Sequence, residues 1–244
     1  MTNFQYEKPP ITEVILQFTF HGDVDEKKIA KAVKSLSRIY DHHKSGFEET
    51  LEIDVVTEKV SKRIREGRTI NKFQSYDLSE QLVIKGGAFT LIQLAPYCGW
   101  NEFFGRFKRD WGKWSEAVGF QHIERIGLRY VNRIDIPIED DIVENEKYIS
   151  VYPNTPDSLG PLIRHAVNIS FPVKDLECVV NLNTAVVESP IVEHLAIMLD
   201  LDIIKKFEIP TSYEKLFEFT ENARIKKNEI FELCITDKAR DLFK

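Results

Sequence analysis

The chain has 244 residues with 43% hydrophobic, 11% aromatic and 30% charged side chains, enough for a sizeable core under a charged surface. Its net charge of −6 argues against a sequence-independent nucleic-acid coat, although a local basic patch stays compatible with it. Three distant cysteines without a CxxC pair disfavour zinc and disulfide frameworks and point to a reducing compartment, and no apolar run approaches the roughly 20 residues of a membrane helix.

After Pro9-Pro10, alternation predicts a strand over 11–20, with Thr12, Val14, Leu16, Phe18 and Phe20 on one face and Glu13 and Gln17 on the other. His21-Gly22-Asp23 turns into a helix near 24–40, striped by Ile29, Ala32, Val33, Leu36 and Tyr40. Four short strands are expected near 48–57, 68–77, 80–86 and 88–95, with a tight hairpin at Gly86-Gly87. The basic stretch KVSKRIREGR between the first two reads as a loop or a helical turn.

Trp100, Phe103, Phe104, Phe107, Trp111, Trp114 and Val118 recur at helical spacing and predict a helix over 99–118 closed by Gly119. Such a stripe reads as core before it reads as a base-stacking platform. Residues 123–136 then alternate cleanly. Ile126, Leu128, Tyr130, Asn132, Ile134 and Ile136 share one face, while Arg125, Gly127, Arg129, Val131, Arg133 and Asp135 share the other. The three arginines stand at intervals of about 13 Å along a strand.

An acidic, Pro-containing stretch over 139–161 reads as an exposed excursion. Strands resume near 163–172, 176–184 and 193–204, and a long helix from Tyr213 to about Phe231, capped by Thr211 or Ser212, precedes a last turn over 237–243. The element order predicts an α+β fold of mainly antiparallel sheet with a central aromatic-rich helix and a C-terminal helix. It forms a single domain or two similar packed halves, about 1–119 and 120–244.

Lys8-Pro9-Pro10-Ile11 with Glu13, the central Arg125-x-Gly127-Leu128-Arg129-Tyr130-x-Asn132-Arg133, and Phe231 with Ile235-Thr236-Asp237 carry a resemblance. The chain resembles a family of uncharacterised proteins of about this length, distributed sporadically among bacteria and archaea. The resemblance implies an intracellular prokaryotic protein of patchy inheritance, in keeping with the cytoplasmic location that the composition predicts, and by analogy a defence, stress or toxin–antitoxin setting. It supplies no activity, cofactor or catalytic residue.

The arginine face, with Glu13 and Asn132, is the candidate ligand site, since a guanidinium fork suits phosphate or carboxylate and Gly127 would admit a ligand close to the backbone. The competing expectation is a cross-strand ion network with carboxylates such as Asp200 and Asp202. Those two aspartates form a DxD, a candidate for holding Mg²⁺ in a nucleotide-processing enzyme. Lys62, Arg63, Arg65 and Arg68, with Arg106, Lys108, Arg109 and Lys113 on the aromatic helix, form the candidate nucleic-acid surface. No nucleophile motif, phosphate loop or metal-spaced histidine pair is present, and no cofactor is implied. The leading expectation is a non-enzymatic binding or regulatory module that acts through a protein partner or as a homo-oligomer. Nucleic-acid or nucleotide binding and metal-dependent nucleotide processing are the alternatives, and no membrane partner is expected.

Overall fold

The computed structural model describes residues 6–56, 59–138, 144–160 and 162–244, with side chains described outside 48–68 and 157. In chain order the elements are β1 (Ile11–Phe20), α1 (Glu26–Leu36), β2 (His42–Val56), β3 (Lys59–Gln74), β4 (Glu80–Lys85), β5 (Ala88–Leu94), α2 (Trp100–Val118), β6 (Ile123–Pro137), β7 (Ala166–Val173), β8 (Cys178–Glu188), β9 (His194–Lys205), α3 (Tyr213–Cys234) and α4 (Asp237–Asp241). The fold is α+β, and nine strands form an antiparallel sheet in the order β2-β3-β4-β5-β1-β6-β9-β8-β7. Among the described residues no helix is long and apolar enough to cross a membrane.

Contacts divide the chain into two compact units, one of residues 1–15, 94–97 and 125–244, the other of residues 16–93 and 98–124. The second unit is organised by α2. Phe107, Trp111 and Trp114 are at most 2% exposed. They meet Phe18 and Phe20 of β1 and Phe89 of β5, with Phe18 edge-on to Phe107 at 4.9 Å and Phe20 stacked on Trp114 at 5.7 Å. Each large aromatic so buried contributes several kcal/mol of apolar transfer, which makes this stripe the core and not a stacking platform. Asp25 starts α1 by accepting from the amides of Lys27 and Lys28. That helix stops at Leu36 and not at Tyr40: the Ser37 amide makes a last helical bond to Val33, and the Ile39 amide then tightens onto Leu36 in a three-residue turn. Tyr40 stays buried beyond the helix and donates to Asp110 at 2.5 Å.

Two expectations about this unit change. The strands around residues 48–57 and 68–77 are longer, and KVSKRIREGR is neither loop nor helical turn but the first part of β3. Its register on β2 sets Val60 opposite Val55, Arg63 opposite Glu52 and Arg68 opposite Glu48, so oppositely charged positions face each other along the ribbon. The hairpin at Gly86-Gly87 forms as expected, with Lys85 paired to Ala88.

In the first unit α3 supplies the apolar cover. Leu216, Phe219, Ala223, Ile230 and Phe231 are buried, and Ser212 caps the helix by accepting from the Lys215 amide. The apolar side of β6 and β9 is filled by Ile126, Leu128, Tyr130, Ile134, Leu199, Leu201 and Ile203. The stretch expected to be an exposed excursion is partly docked, because its apolar members have somewhere to go. Tyr148 is 5% exposed and Ile149 is fully buried, with Ile149 bridging Ile235 and the Ser150 amide donating to the Cys234 carbonyl. Residues 139–143, with the acidic run Glu139-Asp140-Asp141, lie outside the described residues.

Candidate binding face

The site is built by strand register. β6 pairs with β9 so that Arg129 lies opposite Asp202 and Val131 opposite Asp200. Next, β8 pairs with β9 so that Asn183 lies opposite Asp200 and Asn181 opposite Asp202. Finally β7 adds Asn168 opposite Asn183 and Ser170 opposite Asn181. Because side chains alternate with a period of two, all these polar groups project from one face. They form two rows that run across four strands.

In the first row Asn168 donates to Asn183, Asn183 donates to Asp200 at 3.1 Å, and Arg129 grips Asp200 with a two-pronged fork at 2.8 and 2.8 Å. The fork reaches diagonally, past its direct neighbour. In the second row Ser170 donates to Asn181 at 2.7 Å, and the Arg125 guanidinium stands 3.6 Å from Asp202. Arg133 turns to Asp135 of its own strand at 3.1 Å, and Ser189 donates to the same carboxylate at 2.7 Å.

The hydrogen bonds from Arg129 to Asp200 hold the Arg129 guanidinium above its ordinary pKa, with added support from the charges of Asp202 and Glu13. Burial pushes the Asp202 carboxyl up, against the pull of Arg125 and Arg129. The Arg129 side chain keeps 44% exposure although Asp200 beneath it keeps 3%. The face is therefore paired from within and still presented outward.

Gly127 has a different use from the one its position suggests. A Cβ there would stand 2.7 Å from an Arg125 terminal nitrogen. The space over the glycine holds the chain's own guanidinium, which lies across the strand on its way to Asp202.

Arg125, Arg129, Asp200 and Asp202 thus come together, with Glu13 near enough to support Arg129, whereas Arg133 lies on the same face but pairs with Asp135. Asn132 does not join them. It is 1% exposed on the apolar face and donates to the Leu199 carbonyl at 2.9 Å. Among the described residues no group of three His, Cys, Asp or Glu side chains is arranged to hold a metal. The side chains of Lys62, Arg63, Arg65 and Arg68 lie outside the described residues.

The basic face expected on α2 does not form as a set. Arg106 is 7% exposed and turned inward to Glu80 and Gln93, because a guanidinium in a core needs acceptors there. Arg109 is bound to Asp110, and Lys108 lies over the Phe104 ring at 4.3 Å. Sequence reasoning missed Asn168, Ser170, Asn181 and Asn183. The alternation of Val180, Asn181, Leu182 and Asn183 was the available signal that β8 also has a polar face.

Beside the second row lies an open groove of about 600 Å³ lined by Pro172, Val179, Ile204, Phe207, Lys206 and Glu177, among others. Phe207 is 79% exposed.

No family model matches the chain. No curated protein matches it. Among solved structures, the S. pombe Pct1 RNA triphosphatase, in complex with the Spt5 CTD, aligns over 90% of this chain and 86% of that chain at 9% identity, with a TM-score of 0.16. A score that low carries no argument about fold or activity.

Proposed function

We propose that this chain is a non-enzymatic binding or regulatory module, and that a protein partner lands on the polar face of β7, β8, β9 and β6. The observation that carries the reading is the pair of cross-strand rows. The first row is joined by hydrogen bonds from Asn168 to Arg129, and the second by Ser170 with Asn181 and Arg125 with Asp202, so much of the surface is ordered before any partner arrives and costs little to order on binding. An exposed apolar groove beside a hydrogen-bonded polar field is the usual composition of a protein interface, where apolar contact supplies energy and the polar surround fixes register. The arginines favour this reading over capture of a free anion, because the Arg129 fork is already engaged by Asp200. The proposed setting, a prokaryotic defence or stress system, follows from the family resemblance alone.

The test is a photo-cross-linking side chain placed at Asn181 in cells that express the chain natively, with Glu26 on α1 as the control position. The proposal expects a discrete adduct with a second protein from Asn181 and none from Glu26. No adduct at Asn181, or the same adducts from both positions, overturns it.

A further inference from the structure

The open edge of β7 offers a second feature, and the geometry points to a strand-addition site there. An extended segment of a protein partner would bind to it, with alternating apolar and polar side chains and a carboxylate at each end. The inference rests on the reading that the partner is a protein, and adds how that partner docks.

Among the described residues β7 ends the sheet and is paired only with β8. Its outer backbone donors and acceptors therefore form a template of about 26 Å, at roughly 3.3 Å per residue. Sheet edges are ordinarily guarded by charges, bulges or proline. The strand at the other end of the sheet follows this rule, since β2 carries Lys44, Glu48, Glu49, Glu52 and Asp54. β7 does not. Its sequence AVNISFPV contains no charged residue in a chain that is 30% charged, and its one guard is Pro172 near the end. Asn168, Ile169 and Ser170 are exposed, with Ile169 at 40%.

The two faces of β7 dictate the chemistry of an added strand. Val167, Ile169 and Phe171 share one face and would meet apolar, β-branched or aromatic neighbours. Asn168 and Ser170 end the two polar rows, and would continue them into serine, threonine or asparagine of the incoming segment.

Charge selects the occupant. Arg164 and Lys174 bracket the strand, both are exposed, and neither side chain makes a hydrogen bond or ion pair among the described residues. A second copy paired antiparallel about Ile169 would match Val167 with Phe171 and Asn168 with Ser170, but would also bring the Arg164 end of one strand to the Lys174 end of the other. Like charges facing each other disfavour the copy. A segment with acidic ends meets a cation at both termini in either strand direction.

The test uses the full chain and a labelled peptide of about twelve residues, alternating threonine and valine with glutamates at both ends, by fluorescence anisotropy at low salt. The proposal expects saturable binding, and binding at least about tenfold weaker when lysines replace the terminal glutamates. Of two peptides N-methylated on alternate residues, one parity should bind like the parent and the other should not, because only one set of amides faces the edge. The double variant Arg164→Glu, Lys174→Glu, with unchanged circular dichroism, should reverse the preference to the lysine-ended peptide. Absence of binding by all peptides, equal binding of both charge forms, or indifference to N-methylation overturns the proposal. An Asn181 adduct in cells together with no peptide binding sinks strand addition alone and leaves the partner reading standing.

Discussion

Lys227 shows what a single residue can impose on this protein. It is 5% exposed on α3, with its ammonium 4.0 Å from the centre of the Tyr130 ring and 5.7 Å from that of Phe231. Cation–π attraction offsets only part of the loss of water, and burial, assisted by the charge of Arg224, pulls its pKa down to about 7. The sign of the pH effect follows. Between pH 7 and the ordinary lysine range the unfolded chain holds a proton that the native chain has released, so stability rises with pH. The buried thiols of Cys178 and Cys234, pushed up to about 11, act oppositely once pH exceeds their unfolded value of about 8.5. The clean window is therefore from about pH 6.5 to 8.5. Urea midpoints should climb across that window for the native sequence. Lys227→Met should be the more stable form at its acid end and show a flatter profile; a parallel profile would mean that Lys227 stays charged in the fold.

At the scale of elements, β6 and β9 act through each other. Asp200 is buried on β9 and is served by the Arg129 fork and by one amide of Asn183. Arg129→Ala removes both fork bonds and leaves the carboxylate with the amide alone, which should cost about 1–3 kcal/mol. Arg129→Lys keeps the charge but loses the planar fork, so its cost should be smaller and more sensitive to salt. Urea titrations of the two variants check the order; equal losses would show that the fork geometry contributes nothing. The elements that sequence made legible are those whose information is local. The aromatic spacing from Trp100 to Trp114 fixes which side of α2 is core, and the alternation from Arg125 to Ile136 fixes both faces of β6. What stayed illegible is pairing at a distance. Arg129 and Asp200 are 71 residues apart, and a period of two says which way a side chain points but not which strand lies beside it. The same gap hid the inward turn of Arg106 toward Glu80 and Gln93. It also hid the docking of Tyr148 and Ile149 beside the end of α3, where a polar neighbourhood in sequence masks two buried residues. The strand character of 59–68 was lost for a related reason, because its complement of opposite charge lies on β2.

For the whole molecule the governing fact is that the boundary between the two compact units cuts through continuous strands. The division falls within β1 after Ile15, within β5 after Gln93 and within β6 after Glu124, so three strands have one end in each unit. Strand residues are held by ladder bonds along their length, and loss of one end exposes backbone groups and frays the other. Thr12 shows the tie at residue level, accepting from the Ala95 amide within one unit while Phe20, on the same strand, donates to the Gly87 carbonyl within the other. All three tryptophans lie on α2, so their fluorescence reports unfolding of the second unit, whereas far-ultraviolet circular dichroism reports helices and strands of both. If the shared strands couple the units, the two signals should give the same guanidinium midpoint in one cooperative transition. Trp114→Phe, which thins the α2 core, should then shift both signals together. A fluorescence transition that clearly precedes the circular dichroism transition would mean that the second unit unfolds while the first survives, and that strands broken at the boundary keep their remaining halves paired.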